Sequence, residues 1–105
     1  MPGQSKEEAI INTPEVRVRI LTLEKDNVIK WHYHTNVTDN TFCLEGKIEV
    51  RLQEPEESLT LSPGDHCEVK PHRIHTVINL NETPSKYLLV QGVGEYDFVE
   101  MGKNP

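Results

Sequence analysis

Short segments with apolar residues at every second position dominate this sequence, and this alternation constrains the fold more than any other feature. Residues 16–23 (VRVRILTL) and 47–52 (KIEVRL) show it most clearly. Side chains on a β-strand point alternately to the two faces of a sheet, so a period of two predicts strands with one buried face. Hardly any segment shows the 3.6-residue period of an amphipathic helix.

Turn residues separate these segments at intervals of about 8–12 residues. The segments Lys25-Asp26-Asn27, Glu45-Gly46 and Ser62-Pro63-Gly64-Asp65 combine residues typical of tight turns. The pattern predicts an all-β fold of roughly eight to ten short strands, arranged as an antiparallel sandwich or barrel. We expect residues 1–14 to form a polar arm with one short ordered turn, and residues 15–100 to form a single barrel domain.

Size and charge exclude several classes of protein. The chain has 105 residues and a formal net charge of −6, and its basic residues are scattered. A nucleic-acid partner is therefore not expected. No stretch approaches the ~20 apolar residues that a membrane span needs, and the N-terminus has no apolar signal segment. We expect no membrane association, a cytoplasmic location, and free thiols at Cys43 and Cys67.

The histidines indicate a metal site. Residues 28–34 are predicted to form the return strand of a hairpin with residues 16–23. On that strand His32 and His34 leave the same face, and His75 on another strand can complete a three-imidazole site. Imidazole suits iron, manganese, nickel, copper or zinc, and no nucleophile triad or phosphate-binding loop competes with this interpretation. The expected cofactor is one divalent transition metal of unassigned identity.

The order of these residues resembles the two sequence motifs of small single-domain cupins. The first motif, G-x5-H-x-H-x3–4-E-x6-G, is matched by His32, His34, Asp39 and Gly46, with Asp26 at the first glycine position. The second motif, G-x5-P-x-G-x2-H-x3-N, is matched by His75 and Asn79, with Lys70 and His72 at the Pro and Gly positions. The resemblance implies a jelly-roll (double-stranded β-helix) barrel with His32, His34, Asp39 and His75 at its metal site.

Two positions near this site leave alternatives open. Asp39 is one methylene shorter than the family's glutamate, so it either binds the metal directly or leaves a three-histidine site; we favour the latter. His72 is either a solvated turn residue or a proton shuttle at the pocket mouth, and it is the candidate general acid or base.

Several activities are compatible with such a site. The resemblance implies dioxygenases, isomerases, decarboxylases, lyases and non-catalytic binding domains. We expect a metal-dependent, dioxygenase-like or isomerase-like enzyme that acts on a small hydroxylated or anionic metabolite, with oxidative chemistry favoured. The alternative is a cupin that binds or senses a sugar or metabolite without transforming it. A homodimer is expected, because open sheet edges expose unpaired backbone groups and small cupins commonly dimerise.

Overall fold

The computed structural model describes residues 6–101, which form ten β-strands in two five-stranded antiparallel sheets. The first sheet has the order β1-β2-β9-β4-β7 and comprises β1 (Lys6–Asn12), β2 (Arg17–Leu23), β9 (Ser85–Gly92), β4 (Thr38–Glu45) and β7 (His66–Val69). The second has the order β10-β3-β8-β5-β6 and comprises β10 (Val99–Glu100), β3 (His32–Tyr33), β8 (His75–Asn79), β5 (Ile48–Leu52) and β6 (Glu57–Leu61). The predicted all-β class and jelly-roll architecture are confirmed. Residues 6–101 contain no helix long and apolar enough to cross a membrane.

The space between the sheets changes from polar at one end to apolar at the other. From the polar end to the apolar end, the inward-facing residues of β2 are Arg19, Leu21 and Leu23. Those of the antiparallel β9 are Gln91, Leu89 and Tyr87. The apolar end forms a continuous core that includes Cys43 and Cys67, both free thiols as expected. Because this end holds the sheets together by burial, the polar end can carry a site.

The N-terminal arm predicted for residues 1–14 is wrong for part of that range. Lys6–Asn12 form β1, which pairs with β2 at the edge of the first sheet, and residues 1–5 lie outside the described part of the chain. All seven residues of β1 are exposed. A strand with two solvated faces needs no apolar alternation, so the pattern used to find the other strands does not detect it.

The predicted hairpin of residues 16–23 with residues 28–34 is also wrong. Strand β2 already has β1 on one side and β9 on the other, so it has no free edge. The chain instead crosses to the second sheet, where only His32–Tyr33 form a strand and Val28 makes an isolated bridge to Ile78. Alternation shows which face of a strand is buried, but it does not identify the neighbouring strand.

Two residues at glycine positions of the cupin motifs have left-handed backbones. Asp26 and His72 each have a φ of 69°. This region disfavours most side chains but admits Asp and His more readily than others. Both departures from the motifs therefore keep the turn that a glycine would form.

Candidate metal centre

Four predicted ligands from both sheets meet at the polar end of the barrel. His32 lies directly opposite His75 in the β3–β8 pairing, and Asp39 faces them from β4 in the other sheet. His34 follows β3 by one residue. All four are at most 4% exposed, and one potential ligand atom from each lies within 4.8 Å of the other three. The residues selected from sequence thus form one buried cluster.

Each imidazole is oriented by a backbone carbonyl. Nδ1 of His32 donates to the carbonyl of Lys30 at 2.7 Å, and Nδ1 of His75 donates to that of Arg73 at 2.8 Å. Nδ1 of His34 donates to the carbonyl of Asp97 at 2.6 Å. A carbonyl oxygen only accepts, so each Nδ1 carries the proton and each neutral ring leaves a lone pair on Nε2. This arrangement fixes the tautomer that binds a metal through Nε2.

The carboxylate of Asp39 joins the imidazoles on their Nε2 side. Its Oδ2 atom is 3.2 Å from Nε2 of His34 and 3.0 Å from Nε2 of His75. The shorter side chain therefore reaches the cluster, contrary to the reason for favouring a three-histidine site. A carboxylate also only accepts, so these contacts require positive charge, either protons on the imidazoles or a cation. Three imidazoles and one carboxylate fit a divalent transition metal.

His32 and His34 have pKa values shifted in opposite directions. Burial, helped by the nearby His75, lowers the pKa of His32 to about 3, so its Nε2 stays unprotonated near neutral pH. Burial opposes protonation of His34 as well, but hydrogen bonding and charge from Asp39 outweigh it and raise the pKa of His34. Burial would raise the pKa of Asp39, but His34 and His75 together hold it well below its ordinary value. The carboxylate is therefore ionised and available as a ligand.

A buried hydrogen-bond chain holds the other oxygen of Asp39. Gln91, paired with Asp39 in the β4–β9 register and 1% exposed, donates Nε2 to Asp39 Oδ1 at 2.9 Å. Arg19 donates Nη2 to Gln91 Oε1 at 2.7 Å and Nη1 to Glu7 Oε1 at 2.8 Å. Since Arg19 only donates and Asp39 only accepts, the orientation of the Gln91 amide is fixed. Oδ1 is thus occupied, which leaves Oδ2 to face the imidazoles.

The cluster forms the floor of a small pocket of about 170 Å³. Phe98 stacks on His32 with ring centroids 4.1 Å apart, and Tyr96 lies 5.5 Å from the ring of His34. Apolar and aromatic side chains make up much of the wall: Leu21, Ile29, Val77, Leu89, Tyr96 and Phe98. Such a pocket accepts a small molecule and limits the access of water to its floor.

Other candidates from sequence lie away from the pocket. His72 is exposed and does not line the pocket, so it is not placed to exchange protons with a ligand there. Its backbone N–H donates to the carbonyl of His34 at 2.7 Å, consistent with a turn residue. Asn79 donates Nδ2 to the carbonyls of Leu23 and Thr83, and its Oδ1 accepts from the backbone N–H of Asn81, which is a structural role.

Sequence reasoning missed Arg19, Gln91, Tyr96 and Phe98. A signal existed for the first two, because each is polar at an inward-facing position of an alternating strand. A charged residue at an inward-facing position is unusual unless it has a buried partner. The sequence predicts a last strand near Tyr96 to Val99, but the strand there is Val99–Glu100, and Tyr96 and Phe98 lie before it, where strand parity does not show that they line the pocket.

The fold and the buried three-histidine, one-carboxylate cluster define a β-barrel of the double-stranded β-helix class with a candidate metal site. Residues 19–91 match the family described as the cupin domain, and the chain belongs to that family. The predicted resemblance is therefore confirmed. A comparison with curated proteins finds no match.

Solved structures share this fold. An uncharacterized conserved protein with a double-stranded β-helix domain from Klebsiella pneumoniae is 20% identical, with a TM-score of 0.83 over 98% of this chain and 89% of that chain. The protein TT1209 from Thermus thermophilus is 22% identical, with a TM-score of 0.79 over 90% of this chain and 88% of that chain. A recombinant oxalate oxidase in complex with glycolate is 14% identical, with a TM-score of 0.82 over 95% of this chain and 56% of that chain. These likenesses concern the fold alone.

Proposed function

We propose that this chain is a metal-dependent enzyme, dioxygenase-like or more broadly oxidoreductase-like, that acts on a small anionic or hydroxylated metabolite. One observation carries the proposal: each of the three imidazoles has Nδ1 held by a carbonyl, Nε2 of both His34 and His75 contacts Oδ2 of Asp39, and the four ligand atoms of the cluster lie within 4.8 Å of one another. His32, His34, His75 and Asp39 would hold the ion. Four protein ligands leave positions open on a six-coordinate metal, as catalysis requires.

A metal bound there would supply a Lewis acid and, for iron or manganese, a centre for electron transfer. The chain's own residues would orient and shield the ligand. Tyr96 and Phe98 cover part of the histidine cluster, and the apolar wall strengthens electrostatic contacts by excluding water. Gln91 would keep Asp39 in one orientation while the substrate exchanges.

The oxalate oxidase similarity gives modest support for oxidative chemistry. That protein was solved with glycolate, a small hydroxy acid, but this chain spans only 56% of its length and is 14% identical to it. The pocket volume of about 170 Å³ independently favours a substrate of a few heavy atoms. Small carboxylates are therefore the first compounds to test.

The experiment is metal analysis followed by an oxygen-consumption screen. Protein purified without a histidine tag is analysed for metal, then loaded separately with Fe(II), Mn(II), Ni(II), Co(II), Cu(II) or Zn(II). Oxygen uptake is measured with oxalate, glycolate and catechols. We expect one metal per chain and uptake that His75→Ala abolishes and the exposed-histidine control His66→Ala retains. Failure of every metal to bind would refute the proposal.

A second candidate is a protein that binds a metabolite without transforming it. The exposed position of His72 favours this candidate, because it removes the acid or base assigned from sequence. Retained metal and measurable ligand binding, with no substrate consumed and no oxygen used, would support the binding protein over the enzyme.

A further inference from the structure

Arg19 is a buried cation with unused hydrogen-bonding capacity. It is 8% exposed and lines the same pocket as the histidines. A guanidinium has five N–H donors, and among residues 6–101 Nη1 and Nη2 are partnered by Glu7 and Gln91 while the buried Nε has no partner. Buried donors without partners are rare and costly, so this Nε points to a ligand.

We propose that Arg19 binds the carboxylate of a small substrate whose other end reaches the metal centre. Within the described chain Arg19 is the only lysine or arginine that lines the pocket. One amide, that of Gln91, separates its guanidinium from Asp39. A molecule of a few atoms can therefore contact both Arg19 and an ion at the histidines. This inference rests on the proposed function, because it names the substrate class for that site.

The geometry of a guanidinium favours a carboxylate in particular. The N–H groups along one edge of the planar group match the two oxygens of a carboxylate in parallel hydrogen bonds. A divalent ion, Asp39, Arg19 and Glu7 together would give the pocket a net charge of +1. A buried excess of positive charge attracts an anion more strongly than a neutral ligand.

Glu7 is the carboxylate partner of Arg19. Its carboxylate contacts Nη1 at 2.8 Å, while its side chain is 48% exposed on the edge strand β1. A half-exposed carboxylate loses little when it returns to water, because ion pairs at the surface contribute weakly. Glu7 therefore competes with a substrate carboxylate for the positive charge of Arg19, although in the described chain it contacts Nη1 and leaves Nε free.

The test titrates acetate and its neutral analogue acetamide into metal-free and Zn(II)-loaded protein. The readouts are the dissociation constant and the ¹H–¹⁵N resonance of Arg19 Nε, assigned by its loss in Arg19→Lys. We expect acetate, but not acetamide, to shift this resonance in both forms. Arg19→Gln should weaken acetate binding roughly 10- to 100-fold, the effect of losing a charge-assisted pair. Glu7→Gln should strengthen it about two- to fivefold.

Arg51→Gln is the matched control. Arg51 lies on β5, forms an ion pair with Glu49 and does not line the pocket. Acetate binding in this variant should stay within about twofold. Equal binding of acetamide, or no change in both Arg19→Gln and Glu7→Gln, would overturn the inference. Glu7→Gln keeps the test decisive if Arg19→Gln does not fold, because Glu7 is half-exposed.

The two proposals fail in distinguishable ways. Acetate that shifts Arg19 Nε in protein that retains no metal would support the anion site and refute the metal enzyme. If the protein retains metal but acetate binds equally well to Arg19→Gln, Glu7→Gln and the unchanged protein, only the anion site would be refuted.

Discussion

Gln91→Met tests whether the second oxygen of Asp39 must be held for the metal site to work. The substitution nearly conserves volume but removes the amide that donates to Asp39 Oδ1 and accepts from Arg19 Nη2. Asp39 would then be free to rotate, and its buried Oδ1 would lose its partner. Removing a group that orients a metal ligand lowers metal affinity about 10- to 100-fold, or about 1.4–2.7 kcal/mol.

The same substitution should also lower the stability of the metal-free protein. Two hydrogen bonds to charged groups disappear at a residue that is 1% exposed. At about 1.5–3 kcal/mol each, their loss amounts to about 3–6 kcal/mol. Domains of this kind unfold with about 5–15 kcal/mol, so a loss near ~3 kcal/mol leaves the variant folded with a much lower urea midpoint, whereas a loss near ~6 kcal/mol would unfold a domain at the lower end of that range.

The assay pairs competition against a chromophoric chelator with urea unfolding of metal-free protein. The matched control is Asn40→Leu, which removes an amide one residue from Asp39 whose partner, His66, is exposed. The control should change metal affinity by less than about twofold. A folded Gln91→Met protein with metal affinity equal to that of the control would refute this account of Asp39.

Four other outcomes are expected. His34→Ala should abolish metal retention through gel filtration, because it removes an imidazole and a contact of Asp39, whereas His66→Ala should retain the metal; full occupancy in His34→Ala would place the site elsewhere. Asp39→Glu should lower metal affinity, because Oδ2 already lies 3.0–3.2 Å from two imidazoles and a longer side chain would crowd them; a gain in affinity would restore the three-histidine hypothesis. As the pH decreases below the pKa of His34, which Asp39 raises, protons should compete with the metal for this imidazole, and metal affinity should fall about tenfold for each pH unit. His32, with a pKa of about 3, should bind no proton near neutral pH and so should not add to this effect. Chelator competition that does not vary with pH would contradict this. The homodimer expected from sequence stays a prediction, to be checked by light scattering: Ile10 and Ile11 on edge strand β1 are 51% and 47% exposed, and a monomer mass at micromolar concentration would count against it.

The fold class was predictable because most strands bury one face. Residues 17–23 and 48–52 alternate between buried and less buried positions in the structure, as the order of their apolar and polar residues predicts. Strand β1 was not predictable in this way, because both of its faces are exposed. The mistaken hairpin has a different origin, since the pairing of a strand depends on distant residues such as those of β9.

The metal cluster was predictable because His32, His34 and Asp39 are close together in sequence and the second cupin motif identifies His75. His32 and His34 share a face through strand parity, and the motif placed Asp39 and His75 beside them. The supporting residues depend on tertiary contacts. Gln91 is 52 residues from Asp39 in sequence, and Asp97 is 63 residues from His34. The spacing of these residues in the sequence does not show that they are in contact.

The origin of the ligands in two different sheets has a consequence for protein abundance. An ion bound by histidines from one sheet and Asp39 from the other would act as a cross-link between the two halves of the barrel. At a free metal concentration of 100 times the dissociation constant, it would add about 2.7 kcal/mol to the free energy of unfolding. The unfolded fraction exposed to proteases would then shrink about 100-fold relative to metal-free protein. Cells short of the metal would therefore contain less of the protein, so its level would follow the metal supply without any change in synthesis.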